Sequence, residues 1–309
     1  MRNAALFTAL LFTVCAAFSP RSHAQSPAAY AIMDAASGHF LDAANSDRKL
    51  QVGSLTKIAT AMVVIDWAEV TKQDLNTLVT VPDVPAALAV GNPIGWQSGD
   101  RISLRDLLYA ALMQSDNIAA FTLAGHVGAA LNGKSTPDER FVAQMNALAR
   151  QLRMERTLFV NPHGLDSAER KLPFSTAADI ARLTRYAMSK PAFRFLVSQK
   201  ERRILIERAA GTQFAYSLRN TNELLGVNGV DGVKTGTTRR AGECLVISSE
   251  RPPESIRNGE SFIITPRRLI VVLIGAPDRF RVASGLLDRG WELHQGWVTA
   301  GRPVTKDRL

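Results

Sequence analysis

The sequence predicts an α+β fold: an antiparallel sheet formed by the N- and C-terminal segments, flanked by helices, with a helical lobe from the middle of the chain. Three observations predict it. Short strand-like runs occur near the start, at "YAIMD" and "HFLDA". Apolar residues then recur at helical spacing through the middle. From about residue 200 the character changes to strand-like runs separated by turn signals. Strands at both ends and helices between them are most simply accommodated when the two ends share one sheet.

Each element has a local reason. The first two strands flank Ala35–Gly38 and read as a hairpin. After Gly53, "SLTKIATAMVVIDWAEV" places Ile58, Met62 and Ile65, with Ala61, Val64 and Ala68, on helical faces. Ser54 therefore starts a helix, and Lys57 lies one turn along on the same face. In "SLRDLLYAALMQ", Ser103 and Asp106 have the spacing of a capping box. Residues 114–117 break the apolar period, and "IAAFTLAGHVG" resumes it. "DERFVAQMNALARQLR" is amphipathic, and "STAADIARLTRYAMSK" starts with a second capping pair, Thr176 and Asp179. The strand-like runs "RRILIE", "QFAYSLRN", "GVDGVKTGTT", "GECLVISS" and "RLIVVLIGA" follow, with "RPPESIRNGE" as a polar hairpin insertion. A closing helix carries Leu286, Leu287, Trp291 and Trp297 on its apolar side, a pattern for packing on a core.

Composition narrows the function classes. The chain has 309 residues, 46% hydrophobic and 21% charged, an ordinary globular balance without repeats or linkers. Residues 1–24 read as an export signal: Arg2, an apolar stretch from Ala4 to Phe18, then small residues at Ser22 and Ala24. Residues 25–309 then form one domain, placed in the periplasm or cell-wall space, with no stable membrane anchor expected. Loss of Arg2 and Arg21 lowers the formal charge from +9 to +7. The positive charges are scattered rather than interleaved with aromatics, which argues against nucleic-acid binding. Cys15 leaves with the signal, so Cys244 stands alone in "GECLVIS" as a small buried hydrophobe. The histidines show no metal-ligand spacing, and no cofactor is expected.

Three short stretches carry the chemistry. Ser54-x-x-Lys57 alone is weak, since a chain of this length holds about one such match by chance. Ser46 to Lys49 is that kind of accident, in a polar segment. "SDN" at 115–117 is also weak alone, and "KTG" at 234–236 is rarer. In this order, on a helix start, an interhelical break and a strand, the trio is a strong joint signal for β-lactamases and penicillin-binding proteins.

With these residues the chain resembles the low-molecular-weight penicillin-binding proteins of the D-alanyl-D-alanine carboxypeptidase type. The resemblance runs from about Tyr30 to Trp297. It includes "FVNPHGLD" (159–166), "STAADIA" (175–181), "RNTNELL" (219–225), "VDGVKTGTT" (230–238) and "GAPDRFRV" (275–282). It implies a β-lactamase/transpeptidase-like fold and hydrolysis of peptidoglycan stem peptides through an acyl-enzyme on Ser54. β-Lactam antibiotics would act as covalent inhibitors. Lys57 is the implied base, Ser115 a proton relay, and Asn117 a group that holds Lys57 and the substrate amide. The N–H groups of Ser54 and Thr237 would form an oxyanion hole. Lys234, Thr235 and Thr237 would receive the terminal carboxylate, and Gly236 would let the peptide lie against the strand. Arg281 and Arg219 match family positions near the site. His163 is expected to be structural, because the Ser/Lys pair already supplies the base.

Rival readings stay open. A D,D-endopeptidase that cuts cross-links fits the short length and "SDNIAA", whereas "NPHGL" fits the carboxypeptidases. A β-lactamase would need a Glu-x-x-Leu-Asn stretch before the Lys-Thr-Gly strand, which is missing; the one Glu-x-x-x-Asn, Glu254 to Asn258, follows it. Slow release of bound penicillin is therefore expected. A penicillin- or wall-sensing domain on the same scaffold is the non-enzymatic alternative.

Overall fold

The computed structural model describes residues 26–85, 88, 91–166, 172–258 and 261–303. The export signal expected at residues 1–24 lies outside them. Strands β1 (Ala29–Asp34) and β2 (Phe40–Ala44) form the expected hairpin. A 3₁₀ turn, Gly53–Thr56, leads into α1 (Lys57–Thr71). Then come β3 (Leu78–Thr80), β4 (Arg101–Ser103), α2 (Leu104–Met113), α3 (Asn117–Ala130) and α4 (Pro137–Gln151). Next are α5 (Ala177–Ser189), α6 (Pro191–Val197), β5 (Glu201–Glu207) and β6 (Gln213–Arg219). The chain closes with β7 (Val230–Thr238), β8 (Gly242–Asn258), β9 (Ser261–Ala276) and α7 (Arg279–Thr299).

The five-stranded sheet has the order β2-β1-β9-β8-β7, so the chain's two ends do share one antiparallel sheet. Both of its faces are covered. Leu245, Ile247, Leu269, Val271 and Leu273 point to a small core closed by Leu287 and Trp291 of α7. Their neighbours Val246, Ile270, Val272 and Ile274 point to the large helical core. Period-two alternation with both sets apolar is the signature of a central strand pair.

One expectation is corrected here. The runs "RRILIE" and "QFAYSLRN" do not join the main sheet. As β5 and β6 they belong to a second sheet, β3-β4-β5-β6, whose first two strands come from the helical middle. β3 and β4 are three residues each, too short for any periodic signal. Helix α1 is central: Lys57 to Ile65 are all buried, and it contacts α2, α3, α4, α5 and α6. A helix that is apolar all round belongs at the centre of a core.

The caps follow the expected chemistry with one shift. Ser103 and Thr176 accept from the backbone N–H of Asp106 and Asp179. The complete reciprocal capping box sits instead at Thr136 and Glu139, starting α4. Residues 251–258 of the polar insertion continue the β8–β9 ribbon. Among the described residues, no helix is long and apolar enough to cross a membrane.

Candidate active site

The site forms where three elements converge: the 3₁₀ turn and α1, the α2–α3 connection, and β7. The 3₁₀ turn lies hard against β7. A β-carbon on Gly236 would stand 3.2 Å from both Ser54 N and Val52 O, and 3.3 Å from Leu55 N. The missing side chain of Gly236 therefore makes room for the backbone of Ser54, in addition to any role under a peptide substrate.

Lys57 is wholly buried. Its Nζ lies 2.9 Å from Ser54 Oγ, 2.7 Å from Asn117 Oδ1 and 2.8 Å from the carbonyl oxygen of His163. Burial pushes its pKa down to about 7, and the charge of Asp116 works the other way. The partner count has a consequence. A neutral amine has two N–H donors, which the carbonyl oxygens of Asn117 and His163 accept. Its lone pair is then left for the hydroxyl of Ser54.

The α2–α3 connection brings up the remaining groups. Ser115 takes a left-handed backbone conformation, φ +62°, which turns the chain sharply between the two helices. Asp116 caps α3 by accepting from Ala119 N at 2.7 Å. Asn117, the first residue of α3, thereby faces Lys57.

On β7, Lys234 is buried and donates to the carbonyl of Thr235 at 2.8 Å. Burial, then the positive charges of Lys57 and Arg279, hold it well below the ordinary lysine range. Thr235 Oγ1 is 2.6 Å from Thr221 Oγ1. Thr237 is exposed at the mouth of the site, and Thr238 reaches Asp166 at 3.0 Å.

The loop over residues 161–166 closes the back. His163 contributes its main-chain oxygen, not its ring. Its Nδ1 accepts from Leu165 N, and burial with the nearby Lys57 lowers its pKa to about 3. Its ring is thus held neutral and tied to its own loop.

Two of the predicted arginines lie outside the cluster. Arg281 bonds the helix-capping Asp278 at 3.1 Å and is 62% exposed. Arg219 points away from the buried Leu218 face of β6, is 82% exposed and pairs with Glu201. An arginine that touches the Lys-Thr-Gly triad itself is Arg279, two residues before Arg281. Its guanidinium donates to Gly236 O at 2.9 Å. A register count could have found it: the first residue of a helix sends its side chain back toward the preceding sheet. Asp116, within 115–117, and Thr221, within 219–225, carry no signal of their own in the sequence.

Residues 16–256 match the peptidase family described as D-alanyl-D-alanine carboxypeptidase. The D-alanyl-D-alanine carboxypeptidase DacC of Escherichia coli is 32% identical over 312 residues, covering 96% of this chain and 70% of that protein. The D-alanyl-D-alanine endopeptidase of Pseudomonas aeruginosa is 31% identical over 218 residues, covering 70% of this chain and 64% of that one. Among solved structures, a Streptomyces DD-transpeptidase superposes with a TM-score of 0.72 at 25% identity, over 86% of this chain and 97% of that one.

Proposed function

The chain belongs to the D-alanyl-D-alanine carboxypeptidase family, and on that premise we propose that Ser54 is the nucleophile that removes the terminal D-Ala from peptidoglycan stem peptides. The observation that carries the reading is the buried contact of Lys57 Nζ with Ser54 Oγ at 2.9 Å, with Asn117 and His163 carbonyl oxygens as its other two partners.

The chemistry follows from that contact. Ser54 Oγ attacks the carbonyl carbon of the penultimate D-Ala while its proton passes to Lys57 Nζ. The oxyanion forms beside the N–H groups of Ser54 and Thr237, where one donor is typically worth ~3 kcal/mol. The C–N bond then breaks, and Ser115 relays a proton to the departing D-Ala amine. Water attacks the resulting ester and frees Ser54. Lys234, Thr235 and Thr237 receive the terminal carboxylate. Arg279 braces their strand from behind. A β-lactam would meet the same serine and acylate it, with slow release. Its substrate places the protein outside the cytoplasm, in the periplasm or cell-wall space, where the export signal would send it.

The similarity to an endopeptidase keeps one second reading in view, the cutting of D-Ala cross-links between peptides. Both use the same acylation step and differ in what the leaving amine carries.

Two measurements test the proposal. Labelled penicillin should remain on the peptide that contains Ser54; label on Ser46 or Ser115 refutes the assignment. Purified cell-wall fragments should lose one D-Ala by mass. Splitting of dimers without that loss would establish the endopeptidase instead.

A further inference from the structure

The Lys57 amine is faced by more than its hydrogen-bond partners. Asp116 stands on the turn before α3, Lys234 on β7, and His163 on the loop behind, with Arg279 beyond Lys234. Of these, Asp116 is the one carboxylate, and neither the family trio nor the reaction above gives it a task.

Asp116 is 5% exposed. Its Oδ1 accepts from Ala119 N at 2.7 Å and from the indole Nε1–H of Trp96 at 3.1 Å. Trp96 is itself buried and fixed. Its backbone N–H reaches Asn92 Oδ1 at 2.9 Å, and its carbonyl accepts from Asn92 Nδ2 at 2.9 Å. The loop carrying it is tied by Arg208, which donates to Gly95 O at 2.9 Å and to the buried Asp100 at 2.6 Å. A continuous set of contacts thus runs from Arg208 beyond β5, through Trp96, to the residue between Ser115 and Asn117.

A helix cap does not explain a buried carboxylate here. Asparagine or serine caps as well as aspartate and costs far less to bury. Burial raises the Asp116 pKa, and the donors Ala119 N–H and Trp96 Nε1–H, with the charge of a protonated Lys57, oppose that rise; the next residue, Asn117, is the one that contacts Lys57 Nζ, at 2.7 Å. We propose that Asp116, anchored by the Trp96 indole, is a positioning residue that holds the 115–117 turn and supplies the negative charge balancing Lys57. It acts through Lys57 and Asn117 and does not touch the reacting atoms. Burial alone would drive Lys57 further down; the Asp116 charge opposes this and keeps the amine basic enough to take the serine proton.

The inference rests on the Ser54/Lys57 reading, and the test separates the two. D116N keeps the cap and an acceptor for Trp96 but removes the charge. The pH profile of penicillin acylation should show its acid limb shifted to lower pH by about 0.5–1 unit. The plateau rate should fall as the amine becomes less basic. W96F, which removes one donor from the carboxylate, should shift the limb the same way by less. An acid limb in D116N that stays put or moves upward overturns the proposal. If D116N does not accumulate as folded protein, the W96F profile decides by the same criterion. K57A serves as the control on the parent reading: near-normal acylation there sinks the Lys57 assignment, whatever the D116N profile shows.

Discussion

Gly164 stands so close to Gly53 that a β-carbon on it would overlap the Gly53 carbonyl oxygen and come within 2.8 Å of Thr56 Oγ1. The loop that supplies the His163 carbonyl to Lys57 is thus seated directly on the turn that carries Ser54. Its φ of +79° also excludes a comfortable side chain. Gly164→Ala should cost more than about 3 kcal/mol in stability. Chemical denaturation measures it, and a variant as stable as the parent would mean that the loop can move away without loss.

Gly236→Ala should behave differently. Its β-carbon would meet Ser54 N and Val52 O at 3.2 Å, a tight contact rather than an overlap. A shift of a few tenths of an ångström relieves it, but the shift falls on the Ser54 N–H, the proposed oxyanion donor. Stability should fall by about 1–3 kcal/mol, while kcat drops about 10-fold or more. Equal retention of kcat and stability would show that the serine turn tolerates displacement.

Lys57→Ala should lower acylation by about 10²–10⁴-fold, in kcat and kcat/KM together, because a base acts in the transition state. The parent's acylation should rise with pH through about 7, where the buried amine loses its proton. The variant's residual rate should lack that limb. Stopped-flow acylation by a chromogenic β-lactam reads both.

The same lysine burdens the fold. Holding its pKa at about 7 instead of 10.5 costs on the order of 4 kcal/mol at neutral pH. Lys57→Met removes that cost and gives up three hydrogen bonds worth about 1 kcal/mol each. The inactive variant should therefore be no less stable than the parent at pH 7. The sign with pH follows from proton counting. Between 7 and 10.5 the unfolded lysine binds a proton that the folded one does not, so the parent gains stability as pH rises and the Met variant's relative advantage shrinks. Paired thermal melts at pH 7 and pH 10 check this.

Lys234→Ala should raise KM as well as lower kcat, since this cation is the proposed partner of the ground-state carboxylate. The two buried lysines repel one another. Without Lys234 the amine of Lys57 holds its proton more strongly, and the acid limb moves up in pH. This direction is opposite to that expected for D116N. An unmoved limb would separate the two lysines electrostatically.

Much of this was legible in the residues themselves. Ser54, Lys57, the break at 115–117 and the Lys-Thr-Gly strand each lie where local pattern is strong: a helix start, an interrupted apolar period, a strand between turns. The shared sheet of the two chain ends was likewise readable from strand-like runs at both ends, because alternating and helical periods are properties of short windows. The closing helix showed its core face for the same reason. Tertiary structure alone decided the rest. Strands of three residues such as β3 and β4 carry no period, so the second sheet appeared only through pairing. Arg279 and Arg281 are two positions apart and chemically identical; which one meets Gly236 depends on where β9 ends and how α7 leaves the sheet. The work of Asp116 depends on Trp96 and Lys57, 20 and 59 positions away in sequence. Burial, which pushes Lys57 down to about 7, is a property of everything packed around a side chain, and no local window of sequence contains it.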